Sequence, residues 1–344
     1  MVKKLEGYVK GIDLGGWLSQ CNHTKERYEG FITEKDFETV AAWGADHVRI
    51  PVDYNLIEDE SGAYKEDGFK YIDKAVEWCG KYGLNMVLDL HKTFGYSFDD
   101  GEGESGFFFN EAYQERFYKL WEEFAKRYSK YEDRLVFELL NEVTDQSYSD
   151  TWNRVSTECI KRIRKIAPTV KILLGGYWNN SGDALKDLAM PLDENVVYNF
   201  HCYDPMIFTH QGAHWVKGLP TDLRIGIDMT LGEMKDLIEK KAPAILEMMH
   251  IPTSPDKRID AEYFIKRFEE PVRIANERGT ALYCGEYGVI DVAKPGDVLE
   301  WYKAINAAFE HYGIGRATWS YKEMNFGLTR SEIDGVREEI LKYI

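Results

Sequence analysis

The sequence predicts an α/β fold, a single (β/α)8 TIM barrel over residues 1–344 with an inserted subdomain at 204–257 after the sixth strand. Three observations predict it. Eight short apolar runs alternate with helical periodicity along the chain, the pattern of repeated βα units. The runs are nearly continuous in Val, Ile, Leu, Phe and Tyr, as strands covered on both faces are. No phosphate-binding fingerprint opens the chain, and eight strands would make a long open sheet, so a doubly wound fold is the weaker alternative.

The strands are expected at 8–14, 47–52 (HVRIPV), 85–91 (NMVLDLH), 134–141 (RLVFELLN), 170–175 (VKILLG), 196–203 (VVYNFHCY), 281–286 (ALYCGE) and 316–321 (RATWSY). Helices fill the gaps. Thr33 can cap one carrying Phe37, Val40 and Ala41, and Gly44 stops it. A second carries Phe69, Ile72, Ala75, Val76 and Cys79 and ends at Gly83. A third carries Tyr113, Phe117, Leu120, Phe124 and Tyr128, and a fourth spans 151–166 before Pro168. A short helix is expected at 182–188, and longer ones at 261–277, 297–312 and 331–343. From 204 to 257 no strand is evident and a helix near 232–241 stands alone, so this stretch is expected to be a lid or small subdomain over the catalytic face.

Composition removes several functions. The 43 basic and 59 acidic residues leave a net charge of −16, which repels phosphate backbones and anionic membrane surfaces alike. Neither nucleic acid nor a membrane is therefore expected as a partner. The first residues show no apolar stretch of the signal-peptide kind, so the expectation is a cytoplasmic enzyme or a secreted one whose leader has been removed. Five cysteines, odd in number and far apart, fit neither a disulfide framework nor a zinc site and read as reduced thiols. Aromatic residues reach 14%, a surplus that suits a cleft for a ligand with apolar faces and hydroxyl edges.

The chemistry is expected where polar residues interrupt the strands late. Arg49, His91, Asn141, Glu142, His201, Tyr203, Glu286 and Trp319 all fall toward strand ends, and in a barrel those ends open onto one face. A buried charge is costly unless paired, and Arg49 is the natural counter-ion for a carboxylate. Glu142, in ELLNEV, and Glu286, in YCGEYG, could face each other across the mouth. Such a pair can cleave a glycosidic bond: one carboxyl protonates the departing oxygen and the other meets the positive charge developing at the sugar carbon. Either glutamate alone could equally be a plain residue at a strand end; the pairing favours chemistry. His201 and Tyr203 share a face of their strand and read as orienting groups, and Trp319 can floor a sugar subsite.

Other patterns fail. GEGESG at 101–106 matches GxGxxG, but its glutamates would repel a pyrophosphate, so it reads as an acidic loop. His210 and His214 have metal-ligand spacing, but Gln211 stands where a zincin needs glutamate and Gly212 weakens a helix there. Phe107, Phe108 and Phe109 read as packing under a loop. No metal and no cofactor are expected.

These residues carry a resemblance. GIDLGGWL from Gly11, FITEKDFETV, DHVRIPVDY, AYKEDGFKYID, LLNE, VVYNFHCYDP, THQGAHW, YCGEYG and WSYKEMNFG from Trp319 make the chain similar to glycoside hydrolase family 5, retaining (β/α)8 glycosidases, over nearly its whole length. The resemblance implies Glu142 as general acid/base and Glu286 as nucleophile. It implies that Arg49 and Tyr203 bond Glu286, that His201 lies near Glu142, that Asn141 binds the sugar 2-hydroxyl, and that His91 and Trp319 line the same subsite. Two positions depart from the family pattern: Asp13, where Asn is frequent, and Lys92, where His, Asp or Asn is common. Both bear on substrate choice. The function implied is an endo-β-1,4-glucanase acting on cellulosic or mixed-linkage β-glucan oligo- or polysaccharides. The alternatives are a β-mannanase or an exo-acting glucosidase or glucanase of the same fold and, more distantly, a sugar-binding protein without turnover.

Overall fold

Alternation of side chains along each strand separates two interiors, one inside the barrel and one between barrel and helices. Among the residues that the computed structural model describes (1–99, 106–248 and 255–344), eight parallel strands close a barrel in sequence order. They are β1 Lys10–Asp13, β2 His47–Asp53, β3 Asn85–Lys92, β4 Leu135–Glu138, β5 Lys171–Leu174, β6 Val196–His201, β7 Leu282–Glu286 and β8 Gly315–Thr318. The predicted eight-stranded barrel is the barrel found, and every strand overlaps its expected run. The runs at 134–141, 196–203 and 316–321 overshoot, because the chain leaves the ladder two or three residues early to turn its polar side chains into the mouth.

One parity of each strand faces inward. Near the N-terminal ends these positions are mostly apolar: Val87, Val136, Leu173, Val197, Tyr283 and Ala317 form one buried cluster, closed from below by Leu5 and Tyr8, and His47 of β2 joins them through a 2.7 Å hydrogen bond with the Tyr283 hydroxyl. Two residues further on, the same parity reads Arg49, Asp89, Glu138 and Asn199, all buried. The barrel thus has an apolar floor and a charged upper storey. The other parity (Val48, Ile50, Met86, Leu88, Phe137, Ile172, Phe200, Leu282) faces the helices in a second, larger cluster.

The helices form where the sequence caps them. Asp36 accepts from the backbone N–H and the hydroxyl of Thr33 at the start of Glu34–Ala42. Glu66–Tyr82 and Pro295–Tyr312 end on Gly83 and Gly313 in the left-handed conformation that glycine adopts without strain. Three helix tryptophans donate their indole N–H to carbonyls just beyond strand ends: Trp121 to Leu139, Trp152 to Gly175 and Trp301 to Asp204. They replace ladder bonds where the ladder stops and so fix the rim that carries the site.

The other helices expected are Glu111–Tyr128, Ser149–Arg164 and Ala261–Glu277, with a 3-10 helix at Gly182–Asp187. The helix expected at 331–343 is broken into Ser331–Ile333 and Arg337–Ile340. Gly335 weakens the join, and Arg337 spends its guanidinium on the carbonyls of Leu328 and Arg330. The described part of 204–257 contains no strand; it holds Met206–Thr209, Leu231–Lys241 and Pro243–Met248. Its buried Leu223, Ile225, Leu231, Met234 and Ile238 join the outer core without a break. The loop expected at 101–106 lies, apart from Gly106, outside the described residues. Phe107 and Phe108 are buried, but Phe109 is exposed, so packing takes two of the three. All five cysteines are unpaired, with only Cys21 half-exposed. Among the described residues no helix is long and apolar enough to cross a membrane.

Gly315 tests this geometry. A Cβ there would stand 2.0 Å from the Tyr8 carbonyl oxygen, backbone that cannot swing aside. Gly315→Ala is expected to lower the urea or thermal unfolding midpoint by the equivalent of about 1–3 kcal/mol. Gly30→Ala, with nothing within 4 Å of the new methyl, should leave it unchanged or slightly higher.

Candidate active site

Arg49 is fully buried at the centre of the charged storey. Its Nε and Nη2 donate to the two oxygens of Glu138 at 2.7 and 3.0 Å, a bidentate pair. Nη2 also reaches Asn141 Oδ1 at 2.9 Å and Asp89 Oδ2 at 3.0 Å. Nη1 donates to Glu286 Oε1 at 2.8 Å and lies 3.3 Å from Asp13 Oδ1. One guanidinium therefore serves four carboxyl groups drawn from β1, β3, β4 and β7. Fully ionised, this cage would hold a large uncompensated negative charge out of water. Burial pushes Asp13 and Glu138 above the ordinary carboxylate range and Asp89 to about 7, so protons make up part of the deficit. Among the described residues Asp13 Oδ2 and Asp89 Oδ1 are buried with no hydrogen-bond partner, which a neutral carboxyl tolerates better than a carboxylate.

Glu286 closes β7 at the edge of the cage. Its Oε2 accepts from the Tyr203 hydroxyl at 2.9 Å, and its Oε1 from Arg49. Glu142 sits outside the cage, four residues past the end of β4 rather than on it, with φ +32. Its Oε1 lies 2.8 Å from His201 Nδ1 and its Oε2 accepts from Asn179 Nδ2 at 2.9 Å. Its side chain keeps 13% exposure, yet burial pushes its carboxyl up to about 7. Oxygens of Glu142 and Glu286 and a ring nitrogen of His201 all lie within 4.8 Å of one another.

Burial lowers His201 to about 4, so the ring is neutral near pH 7. Asn180 Nδ2 approaches its Nε2 at 3.4 Å, while the ring's Nδ1 faces the carboxyl oxygens of Glu142 and Glu286, which favours a proton on that nitrogen. That N–H points at Glu142 and stands 3.6 Å from Glu286 Oε2. A cation shared by these three residues would need the lone pair that this tautomer occupies with a proton. Asn141 gives its oxygen to Arg49, and its buried Nδ2 has no partner among the described residues. A buried donor left open is costly unless something arrives to fill it. His91 stacks parallel on Trp319, with centroids 5.8 Å apart, and hydrogen-bonds Asp89 and Gln20.

The structure thus brings all eight residues singled out in the sequence to one mouth. It adds several that the sequence reading passed over. Asp13, noted before only as a departure from the family pattern, turns out to lie inside the cage. Asp89, Glu138 and Asn199 carried a readable signal, since each falls two residues beyond an apolar inward position. Gln20, Asn179 and Asn180 carried none, because loops have no period. Trp178, next to Asn179, and Trp215, packed against His210 and Phe326, are both exposed. His210 and His214 do not form a metal pair: their rings pack with Trp215, and His210 also against Tyr203 and Phe326.

Comparison with known proteins gives the same direction. The profile of the cellulase family (glycosyl hydrolase family 5) matches residues 11–325. Cellodextrinase A of Ruminococcus flavefaciens is 49% identical over 313 residues, covering 91% of this chain and 85% of the relative. Endoglucanase C of Acetivibrio thermocellus is 40% identical, covering 98% of both chains. Among solved structures, the Clostridial cellulose synthase subunit Z of Clostridioides difficile superposes with a TM-score of 0.77 at 30% identity, covering 98% of this chain and 99% of that one.

The buried carboxyls make stability depend on pH. Asp89 binds its proton more tightly folded (about 7) than unfolded (near 4), so the stability it contributes is complete at low pH and is lost as pH rises through about 7. Asp89→Asn should flatten the fall in urea midpoint between about pH 4 and 7. An unchanged slope in that variant would contradict the assignment.

Proposed function

The chain belongs to the cellulase family, glycosyl hydrolase family 5, and on that premise we propose that it is an endo-β-1,4-glucanase that cleaves cellulosic or mixed-linkage β-glucans with retention of configuration. The observation that carries this reading is the approach of Glu142 and Glu286 oxygens to within 4.8 Å. Retaining glycosidases hold their carboxyl groups about 5–5.5 Å apart, whereas inverting ones leave about 6.5–9.5 Å for a water.

In the first half-reaction Glu286 attacks the anomeric carbon while Glu142 gives its proton to the departing glycosidic oxygen. Arg49 and Tyr203 hold Glu286 at one oxygen each, which aims it and leaves lone pairs for the sugar. The open Nδ2 of Asn141 suits the 2-hydroxyl, where a hydrogen bond strengthens as positive charge builds on the ring. Trp319 and His91 floor that ring. In the second half Glu142, now ionised, takes a proton from water, whose oxygen replaces Glu286 at the anomeric carbon. Esterified Glu286 has lost its charge, which favours the ionised form of Glu142 at that stage.

The described part of 204–257 reads as a lid over one side of this cleft. It is supported by the aromatic run from Tyr203 through His210 (5.0 Å) and Phe326 (5.2 Å) to exposed Trp215 (6.4 Å). The 49% identity to a cellodextrinase favours a second reading of substrate size, soluble cellodextrins rather than long polymer. Product lengths from carboxymethylcellulose, mixed-linkage glucan, mannan and cellohexaose separate these. Mid-chain cuts in the glucans support endo action, release of short units from one end supports the second reading, and turnover of mannan alone contradicts both.

Glu286→Gln should abolish turnover of every substrate. Glu142→Gln should abolish hydrolysis of cellodextrins but spare the first, leaving-group step on aryl cellobiosides with good leaving groups, which need no protonation. Equal loss in both variants on both substrates contradicts the roles. For wild type on cellodextrins kcat/KM should fall as pH rises through about 7, because Glu142 must start protonated. A chelator should have no effect, and lost activity restored by a metal would contradict the mechanism.

A further inference from the structure

The acid/base candidate is gripped from two loops. On one side the Tyr96 hydroxyl donates to the Glu142 carbonyl oxygen and accepts from the Thr144 backbone N–H. On the other side a single residue, Asn179, makes two contacts. Its backbone N–H donates to the Val143 carbonyl at 3.0 Å, and its side-chain Nδ2 donates to Glu142 Oε2 at 2.9 Å. The backbone that allows this is unusual. Trp178, Asn179 and Asn180 have φ of +51, +54 and +56, three consecutive non-glycine residues in the left-handed region. Glu142 itself is at φ +32. Such conformations persist only where their surroundings over-determine them, and they gather at functional sites. Here the turn serves visible contacts: it delivers Asn179 to Glu142 and Asn180 to His201.

We propose that Asn179 is a positioning residue that clamps Glu142, its carboxamide fixing the carboxyl for both proton transfers and its backbone N–H fixing the strained segment that bears it. This rests on the two-carboxylate reading above. Glu142 must change form between the half-reactions: a proton leaves it for the glycosidic oxygen, and a proton returns from the attacking water. An N–H aimed at a carboxyl oxygen favours the ionised form. The contact therefore opposes burial and readies Glu142 for its second task, general base toward water. His201, the donor on the other oxygen, cannot replace it, because its N–H is shared between Glu142 and the neighbourhood of Glu286.

Asn179→Gly and Asn179→Asp separate the clamp from the backbone. Both residues accept left-handed φ and keep the backbone N–H; glycine deletes the side-chain donor and aspartate replaces it with an acceptor. For both variants the alkaline limb of kcat/KM should move to higher pH, further for aspartate. At pH 6 the turnover of an aryl cellobioside with a good leaving group, limited by hydrolysis of the glycosyl-enzyme, should fall about tenfold. Azide should restore it by attacking the anomeric carbon, forming a C–N bond as the bond to Glu286 breaks, with no base required. An unmoved pH profile, or a loss equal on all substrates and untouched by azide, overturns the clamp. Glu142→Ala is the control: strong azide rescue keeps the two-carboxylate reading whatever Asn179 does, and its absence refutes that reading rather than the clamp.

Discussion

The structure turns on one buried cation. Arg49 lies inside an eight-stranded barrel with no exposed surface, and its N–H groups reach Asp13, Asp89, Glu138 and Glu286. A buried ion pair is a poor source of stability, since desolvation consumes most of what the attraction returns. Four carboxyls around one guanidinium is worse, because protons must complete the charge balance. A chain selected only for stability would fill this layer with Val and Leu, as it does one layer below. The cage makes sense as the support of one member, Glu286, which it delivers to the mouth with a fixed orientation.

The cage also explains why the two glutamates differ. Glu286 is anchored by a guanidinium and a phenol, both donors suited to a carboxylate. Glu142 stands apart on a turn, with no Lys or Arg in contact among the described residues, and burial raises it to about 7. Burial thus favours the protonated form of Glu142, the form a proton donor needs, while the two donors on Glu286 fix its orientation. Between them the neutral His201 ring turns its Nδ1 toward both carboxyls, with Asn180 beside Nε2.

Much of this was legible in the sequence because strands are periodic. Apolar runs located all eight strands, and late polar residues in those runs pointed to Arg49, His91, Glu286 and their neighbours. The same parity rule, carried one layer deeper, reaches Asp89, Glu138 and Asn199 once the inward face is assigned. What periodicity cannot reach is the loop geometry. The left-handed turn at Trp178–Asn180 and the φ of Glu142 depend on contacts between segments distant in sequence, and no local pattern announces them. The same holds for the helix expected at 331–343, which broke because Arg337 found better acceptors in a neighbouring turn.

The central claim is that the glucosyl unit passes through a bond to Glu286 before water takes it. The direct measurement is proton NMR of cellotetraose hydrolysis, with the anomeric signals of the new reducing ends followed before mutarotation. Two displacements at one carbon predict that the β-anomer appears first and the α-anomer grows in only later. An initial α-anomer would mean a single displacement by water and would contradict the account.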